Sequence, residues 1–244
     1  MIYKAKKSQV SYGEAIGILL METFIPFPPG DVGNATTFSF PVRYKVVKGA
    51  SVERLVNKAD PTLIKPFIDA GWDLIKEGVR AITGDCGFMI LYQDELAKEF
   101  PVPVFMSPLL QIPFILKMLG PQDKVGIVCA TSKGLTEKHL KMAGLEELDR
   151  VSVVGMQSEK EFYKTIFEET GLLDFNKIEQ EVVKVCKGLV EKDRNIKVLL
   201  LECSDLPPYA ASVQKVVNMP VFDFTTMINF VFSALIRKRF DGFL

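Results

Sequence analysis

Two of the four cysteines occupy positions where a thiol commonly takes part in chemistry. Cys86 and Cys203 each follow a short apolar run that predicts a β-strand and precede a segment with helical periodicity. Backbone N–H groups at the start of a helix stabilise a nearby thiolate and so lower the thiol pKa. The preceding Asp85 and Glu202 oppose ionisation, although adjacent residues leaving a strand usually point to opposite faces. A buried structural thiol is the alternative for each cysteine alone, but the matching settings favour a reactive acid–base pair.

The positions of the other two cysteines and of the single histidine argue against several kinds of active site. Cys129 lies inside an apolar run, and Cys186 falls on the apolar face of a predicted helix, so both are predicted to be core residues. His139 is expected on the surface at a polar helix start, which argues against Ser-His-Asp and Cys-His hydrolases. The cysteine spacing fits neither a metal site nor a disulfide framework. Free thiols in a reducing cytoplasm are therefore predicted.

Composition excludes several classes of partner. Lys plus Arg and Asp plus Glu each number 30, so the formal net charge is zero and nucleic-acid binding is not expected. The first ten residues are basic but lead into no sustained apolar segment, which argues against a signal peptide. The apolar stretch 227–236 is too short to span a bilayer, so no membrane partner is expected. Nucleotide-binding glycine motifs are absent from the sequence. We expect a small-molecule substrate and no cofactor, and the chain could form a homo-oligomer.

The hydrophobic pattern predicts an α/β fold with parallel sheets. Short apolar runs alternate with longer amphipathic segments, as in βαβ units, and several runs are apolar throughout, as in strands covered on both faces. The predicted strands span 15–20, 79–83, 102–106, 124–130, 151–155, 198–202 and 220–224; the predicted helices span 61–77, 88–99, 110–119, 136–143, 159–169, 175–192 and 225–239.

A coarse internal repeat places the two reactive cysteines in corresponding positions. Each unit contains a strand, an acidic residue followed by cysteine, a helix, and a strand that begins with Pro-Val. Ligands of open parallel sheets bind beyond the carboxyl ends of the strands, so both cysteines should border one cleft. Two further loops follow strands. Residues 27–34, with Asn34, form either a rigid substrate lid or a turn; Thr131 and Ser132 either cap a helix or bind a carboxylate.

The motifs TGDCGF at 83–88 and LECSDLP at 201–207 resemble the aspartate/glutamate/hydantoin racemase superfamily. The resemblance covers essentially the whole chain. It implies two similar lobes, each a parallel-sheet flavodoxin-like α/β sandwich, with the active site in the cleft between them. Residues 1–107 plus 221–244, with a returning C-terminal helix, would form the first lobe, and residues 108–220 the second.

The resemblance also implies a function. Cys86 and Cys203 would exchange protons with the substrate Cα, as in a cofactor-independent racemase or epimerase of amino-acid metabolism acting on aspartate, glutamate, a hydantoin-like compound or another small carboxylate. Gly87-Phe88 replaces the usual Asn-Thr, and Ser204-Asp205 replaces Thr followed by His or Glu. Phe88 would make the pocket more apolar, which argues against aspartate or glutamate as the substrate. Isomerases or decarboxylases of the maleate isomerase and arylmalonate decarboxylase types, and a non-catalytic binding protein, remain alternatives. Thr131 and Ser204 would hold the substrate carboxylate, and the full set of predicted substrate-binding residues is Asn34, Gly87, Phe88, Thr131, Ser132, Ser204 and Asp205.

Overall fold

The computed structural model describes residues 2–7, 9 and 11–243. The basic segment of the first ten residues, on which the argument against a signal peptide rests, therefore lies partly outside the described residues. Within the described part of the chain, every helix is too short or too polar to cross a lipid bilayer.

A parallel sheet of three strands forms the first half of the molecule. It contains β1 (Ile16–Leu20), β2 (Val42–Val46) and β3 (Ala81–Gly84) in the order β2-β1-β3. The alternating sequence of β2, with charged residues between apolar ones, signals an edge strand that the sequence analysis missed.

The predicted strand 102–106 is wrong, because only one isolated parallel bridge, between Ile82 and Val104, forms there. Pro101 and Pro103 have no N–H group, so this segment cannot complete a regular hydrogen-bonded ladder.

A second parallel sheet contains four strands. Its order is β5-β4-β6-β7, with every neighbouring pair parallel. The apolar runs predicted near these positions form strands, because helices cover both faces of the sheet and bury them. Their bounds are β4 (Lys124–Cys129), β5 (Val151–Gly155), β6 (Ile196–Leu201) and β7 (Val221–Phe222).

Helices connect the strands and confirm the α/β class. Several predicted helices begin as a tighter 3-10 turn, notably Gly87–Tyr92, and one short π-helix at Glu53–Asn57 was not predicted. The α-helices are α1 (Ile64–Lys76), α2 (Gln93–Glu99), α3 (Ile112–Lys117), α4 (Glu137–Met142), α5 (Lys160–Ile166), α6 (Phe175–Lys192), α7 (Ala210–Val217) and α8 (Phe224–Leu235).

Helix α8 packs against the first sheet although it follows the last strand of the second. Phe224 and Ile228 of α8 share an apolar cluster with Ile16 and Ile18 of β1. Burying such side chains contributes about 1.5–3 kcal/mol each, which is enough to hold a short helix in place. Asp223 begins α8 by accepting a hydrogen bond from the N–H of Thr226. The proposed division of the chain at 107/108 and 220/221 stays a prediction.

A shared core joins the two sheets. Leu19 and Ile82 of the first sheet belong to the same buried cluster as Val125, Ile127 and Leu200 of the second. The core therefore fixes the two sheets relative to each other and determines which loops at their carboxyl ends meet.

Candidate active site

Cys86 and Cys203 line the same small cavity, which has a volume of about 30 Å³. Cys86 follows β3 and begins the 3-10 helix Gly87–Tyr92, whereas Cys203 follows β6. Their exposed fractions are only 8% and 7%. The structure thus brings together the two thiols singled out from the sequence, while their chemical role stays a prediction.

Both thiols have a raised pKa, which corrects the expectation of lowered values. Burial raises the pKa of Cys86 most, followed by the charges of Glu202 and Asp85. Burial likewise raises the pKa of Cys203, followed by Asp205 and Glu202. The N–H groups of Phe88 and Asp205 favour the respective thiolates but do not outweigh these effects. Lowered thiol pKa values are not found because burial and the carboxyl groups around the thiols outweigh the backbone N–H groups.

Cys203 is connected to a pair of carboxyl groups. Its Sγ donates a hydrogen bond to Oδ2 of Asp205 at 3.2 Å, and the carboxyl groups of Asp205 and Asp31 lie side by side. Two buried carboxyl groups in contact cannot both ionise, so the pair shares a proton. Burial raises the pKa of Asp205 to about 6 and that of Asp31 well above its ordinary value. The Asp205 carboxyl group is thus the hydrogen-bond acceptor of the Cys203 thiol.

Asp31 was missed by the sequence analysis, which selected Asn34 from the same loop. Asp31 is 1% exposed, and its Oδ1 accepts a hydrogen bond of 2.7 Å from the N–H of Gly33. Asn34 instead maintains the loop, because its Nδ2 donates to the carbonyl of Phe27 and its Oδ1 accepts from the N–H of Thr36. The sign available in the sequence was an aspartate inside the Pro/Gly-rich loop 27–34. Asn34 does not line the cavity, and its substrate-binding role stays a prediction.

Asp85 and Ser204 connect the loops of the two sheets. Both carboxylate oxygens of Asp85 accept the N–H of Met21 at 3.1 Å, which fixes the chain after β1. Burial raises the pKa of this carboxyl group to about 7. The hydroxyl group of Ser204 donates to the backbone carbonyl of Asp85. Ser204 is thus already engaged between the two halves, and its role as a substrate ligand stays a prediction.

Glu202 lies at the wall of the cavity with no exposed surface. Neither of its carboxyl oxygens has a hydrogen-bond partner among the described residues. Burial raises the pKa of this group to about 8. Gly87 from the other sheet packs directly against it: a methyl group on Gly87 would overlap Oε1 and come within 2.6 Å of the Glu202 backbone carbonyl.

We expect Gly87→Ala to destabilise the protein by about 1–3 kcal/mol, because the added methyl group forces Glu202 and the Cys86 loop apart. Denaturant unfolding measures this change. Gly188→Ala is a matched control, since a methyl group there meets nothing within 4 Å and lies inside α6. It should stabilise the helix by up to about 1 kcal/mol. Equal effects of the two substitutions would contradict the close contact.

Phe88 lines the cavity and covers His139, whose predicted surface position is wrong. His139 is 4% exposed, and its ring lies edge-on to that of Phe88 with centroids 5.1 Å apart. Its Nδ1 accepts the N–H of Thr136 at 3.2 Å, which completes the cap of α4. Burial lowers the pKa of His139 to about 4, so the ring is neutral near pH 7. The apolar spacing of His139, Leu140 and Ala143 was the missed sign of burial.

Thr131 and Ser132 lie outside the cavity that contains the thiols. Thr131 borders an open groove of about 700 Å³. The hydroxyl group of Ser132 accepts from Nε2 of Gln157 at 3.0 Å, and its N–H donates to the same amide group at 3.2 Å. Val52 and Phe167 line both the groove and the cavity, so the two adjoin each other. The predicted carboxylate-binding roles of Thr131 and Ser132 stay predictions.

No protein-family model matches the chain. A dimethylsulfoniopropionate lyase of Durusdinium sp. clade D is 30% identical over 228 residues, which cover 91% of this chain and 75% of that protein. Dimethylsulfoniopropionate lyase 7 of Emiliania huxleyi is 30% identical over 230 residues, covering 91% and 67%. Dimethylsulfoniopropionate lyase 3 of Emiliania huxleyi is 29% identical, and the match covers 60% of its length. The chain thus spans about three-fifths to three-quarters of these relatives.

Solved structures confirm the predicted fold of the aspartate/glutamate/hydantoin racemase superfamily. An allantoin racemase from Pseudomonas fluorescens matches with a TM-score of 0.62 and 16% identity over 91% of both chains. An arylmalonate decarboxylase variant matches with a TM-score of 0.60 and 13% identity over 92% of this chain and 94% of that one. These similarities show the fold alone.

The predicted activity, however, is wrong. The sequence analysis assigned a racemase or epimerase, an isomerase of amino-acid metabolism, whereas the curated relatives that match 91% of the chain are lyases. The resemblance was correct for the fold, but a racemase-like fold holds more than one chemistry, and the motifs around the cysteines do not distinguish between them.

Proposed function

The chain belongs to the dimethylsulfoniopropionate lyase family, and we propose that it is itself a lyase that cleaves dimethylsulfoniopropionate. The observation that carries the proposal is the hydrogen bond from the Cys203 thiol to Asp205 beside a buried cavity, in a chain 30% identical to such a lyase. This arrangement supports removal of a proton by a thiolate whose own proton has passed to a carboxylate.

The chemistry of the substrate suits such a base. Dimethylsulfoniopropionate carries a carboxylate at one end and a dimethylsulfonium group on the second carbon away from it. When a base removes the proton from the carbon next to the carboxylate, the electron pair forms a double bond and the carbon–sulfur bond breaks. The products are acrylate and neutral dimethyl sulfide, and the proton stays on the base. The leaving group needs no proton, so one thiolate is sufficient.

This reaction shares its first step with racemisation, because both begin with removal of a proton next to a carboxyl group. Apolar side chains at the cavity, among them Met21, Ile25 and Phe88, suit the methyl groups of the substrate. Lys and Arg are absent from the described residues that line the cavity, so a positive charge there is not repelled. The substrate is larger than the cavity, and we propose that Val52 and Phe167 move apart to admit it from the groove.

We also propose that the protein works in the reducing cytoplasm, as the four free cysteines support. The small carboxylate substrate is the partner that this proposal requires.

We expect the purified protein to convert dimethylsulfoniopropionate into equal amounts of dimethyl sulfide and acrylate, because both products come from one bond cleavage. Gas chromatography measures the sulfide, and proton NMR measures acrylate. The control is the protein alkylated at its thiols, which should release neither product. If folded, unmodified protein releases no dimethyl sulfide above the spontaneous rate, the proposed function is wrong.

A further inference from the structure

Glu202 lines the cavity with a buried carboxyl group to which no described residue donates a hydrogen bond. Its exposed fraction is 0%, and both oxygens lack a hydrogen-bond partner. Leaving a carboxyl group buried without a partner costs free energy, so its persistence at a cavity wall indicates a use other than folding.

The other carboxyl groups at this site are already engaged. Asp85 accepts the N–H of Met21, and Asp205 accepts the thiol of Cys203 and contacts Asp31. Asp31 accepts a hydrogen bond from the N–H of Gly33 with one of its carboxyl oxygens. Glu202 is thus the carboxyl group of the described cavity lining whose two oxygens have no hydrogen-bond partner.

The surroundings of Glu202 define the chemistry of that ligand. Phe88 and Phe167 contribute aromatic rings to the same cavity, and Met21 and Ile25 contribute apolar surface. A methylated onium group has no N–H or O–H to donate, and it is stabilised by a negative charge together with aromatic and apolar contacts. An ammonium group with N–H donors would need several free acceptors, whereas Asp85, Ser204 and Asp205 are engaged with other groups.

We infer that the Glu202 carboxyl group, which holds its proton in the free protein, releases it to solvent when the substrate binds and is then the counter-charge for the sulfonium group, and that the cavity selects organic onium carboxylates over uncharged analogues of the same shape. This inference rests on the proposed function, whose substrate it deepens. The sulfonium charge disappears as dimethyl sulfide leaves, so the ion pair is stronger in the bound substrate than in the transition state. Glu202 therefore contributes to KM more than to kcat.

The test compares two ligands that differ only in charge at the onium position. The cationic probe is 3-(trimethylammonio)propanoate, whose amine is a far poorer leaving group than a sulfide. The uncharged isostere is 4,4-dimethylpentanoate. Calorimetry measures the affinity of both for the native protein and for Glu202→Gln, which keeps the shape of the side chain. The native protein should prefer the cation, and Glu202→Gln should lower that preference by roughly 10- to 100-fold while leaving the affinity for the isostere unchanged.

Two further variants make the result specific. Asp223→Asn removes another buried carboxyl group, at the start of α8, away from the residues that line the cavity, and should keep the native preference. Glu202→Asp keeps the charge and should retain more of the preference than Glu202→Gln, which also covers the case in which the glutamine variant does not fold. With dimethylsulfoniopropionate, Glu202→Gln should raise KM without lowering kcat.

A folded Glu202→Gln variant that still prefers the cation as strongly as the native protein would overturn the inference, and so would a native protein with no preference. Failure of the proposed function gives a different pattern. If no dimethyl sulfide is released but Glu202→Gln abolishes the preference for the cation, the result supports the onium site and shows that the proposed lyase reaction is wrong.

Discussion

Cys203→Ala is expected to lower kcat for acrylate formation by about 10²–10⁴-fold, the usual contribution of a positioned base. The thiol of Cys203 donates a hydrogen bond to Asp205 at 3.2 Å, and in the proposed mechanism Asp205 takes the thiol proton and leaves the thiolate that removes the substrate proton. Steady-state kinetics with dimethylsulfoniopropionate measures the change. Asp205→Asn should lower kcat similarly, because an amide cannot accept the proton as a carboxylate does.

Substitutions of two other cysteines serve as controls for the effect of Cys203→Ala on kcat. Cys186→Ala removes a thiol from the buried face of α6 and should leave kcat of the folded protein unchanged, although it lowers stability. Cys86→Ala should cost less than Cys203→Ala, because Cys86 has the N–H of Phe88 as its partner and no described carboxyl acceptor. If Cys86→Ala abolishes activity and Cys203→Ala does not, the two thiols have the opposite roles.

Glu202→Gln is expected to stabilise the protein increasingly as the pH rises. The pKa of Glu202 is raised from 4.5 to about 8 by burial. Between these values the unfolded chain ionises while the folded chain holds the proton, so this group lowers the free energy of unfolding as the pH rises from about 4.5 to about 8. Glutamine does not titrate. The difference between variant and native protein should grow from near zero at the lower pH to about 3–5 kcal/mol above the upper one.

Guanidinium unfolding across this pH range measures the difference. The comparison cancels the contribution of Asp85, whose raised pKa is present in both proteins. Asp174→Asn is the control, because the pKa of Asp174 is lowered by hydrogen bonds from Lys177 and its N-cap role suits asparagine. Its effect should have the opposite pH dependence, a loss of stability above the ordinary pKa. Parallel stability curves for Glu202→Gln and the native protein would show that Glu202 is not the buried acid described.

The fold was largely predictable because its signals are local. Runs such as Lys124–Cys129 and Val151–Gly155 are apolar over the length of a strand, and α6 has the spacing of an amphipathic helix over its whole length. The strand predicted at 102–106 does not form, because the two prolines prevent a regular ladder although Val and Phe favour a strand. The edge strand β2 was overlooked although its alternation was visible.

The site was only partly predictable, because its carboxyl groups come from distant parts of the chain. Asp31 lies in a loop after β1, and Asp205 follows β6 in the other sheet. Each looks like an ordinary turn residue in its local sequence, and only the packing of the two sheets brings them into contact. The same packing buries Glu202 against Gly87 and raises the thiol pKa values that the local helix argument expected to fall.

The α/β class, the racemase-like fold and the placement of Cys86 and Cys203 at strand ends are predictable from the sequence, because periodicity and strand–loop boundaries are encoded in neighbouring residues. Tertiary structure decided which carboxyl groups surround those thiols, since desolvation and charge contacts depend on groups far apart in the chain. The type of reaction follows from neither the fold nor the cysteines alone. Racemisation and elimination begin with the same proton removal, and they differ in whether the substrate carries a leaving group on the next carbon.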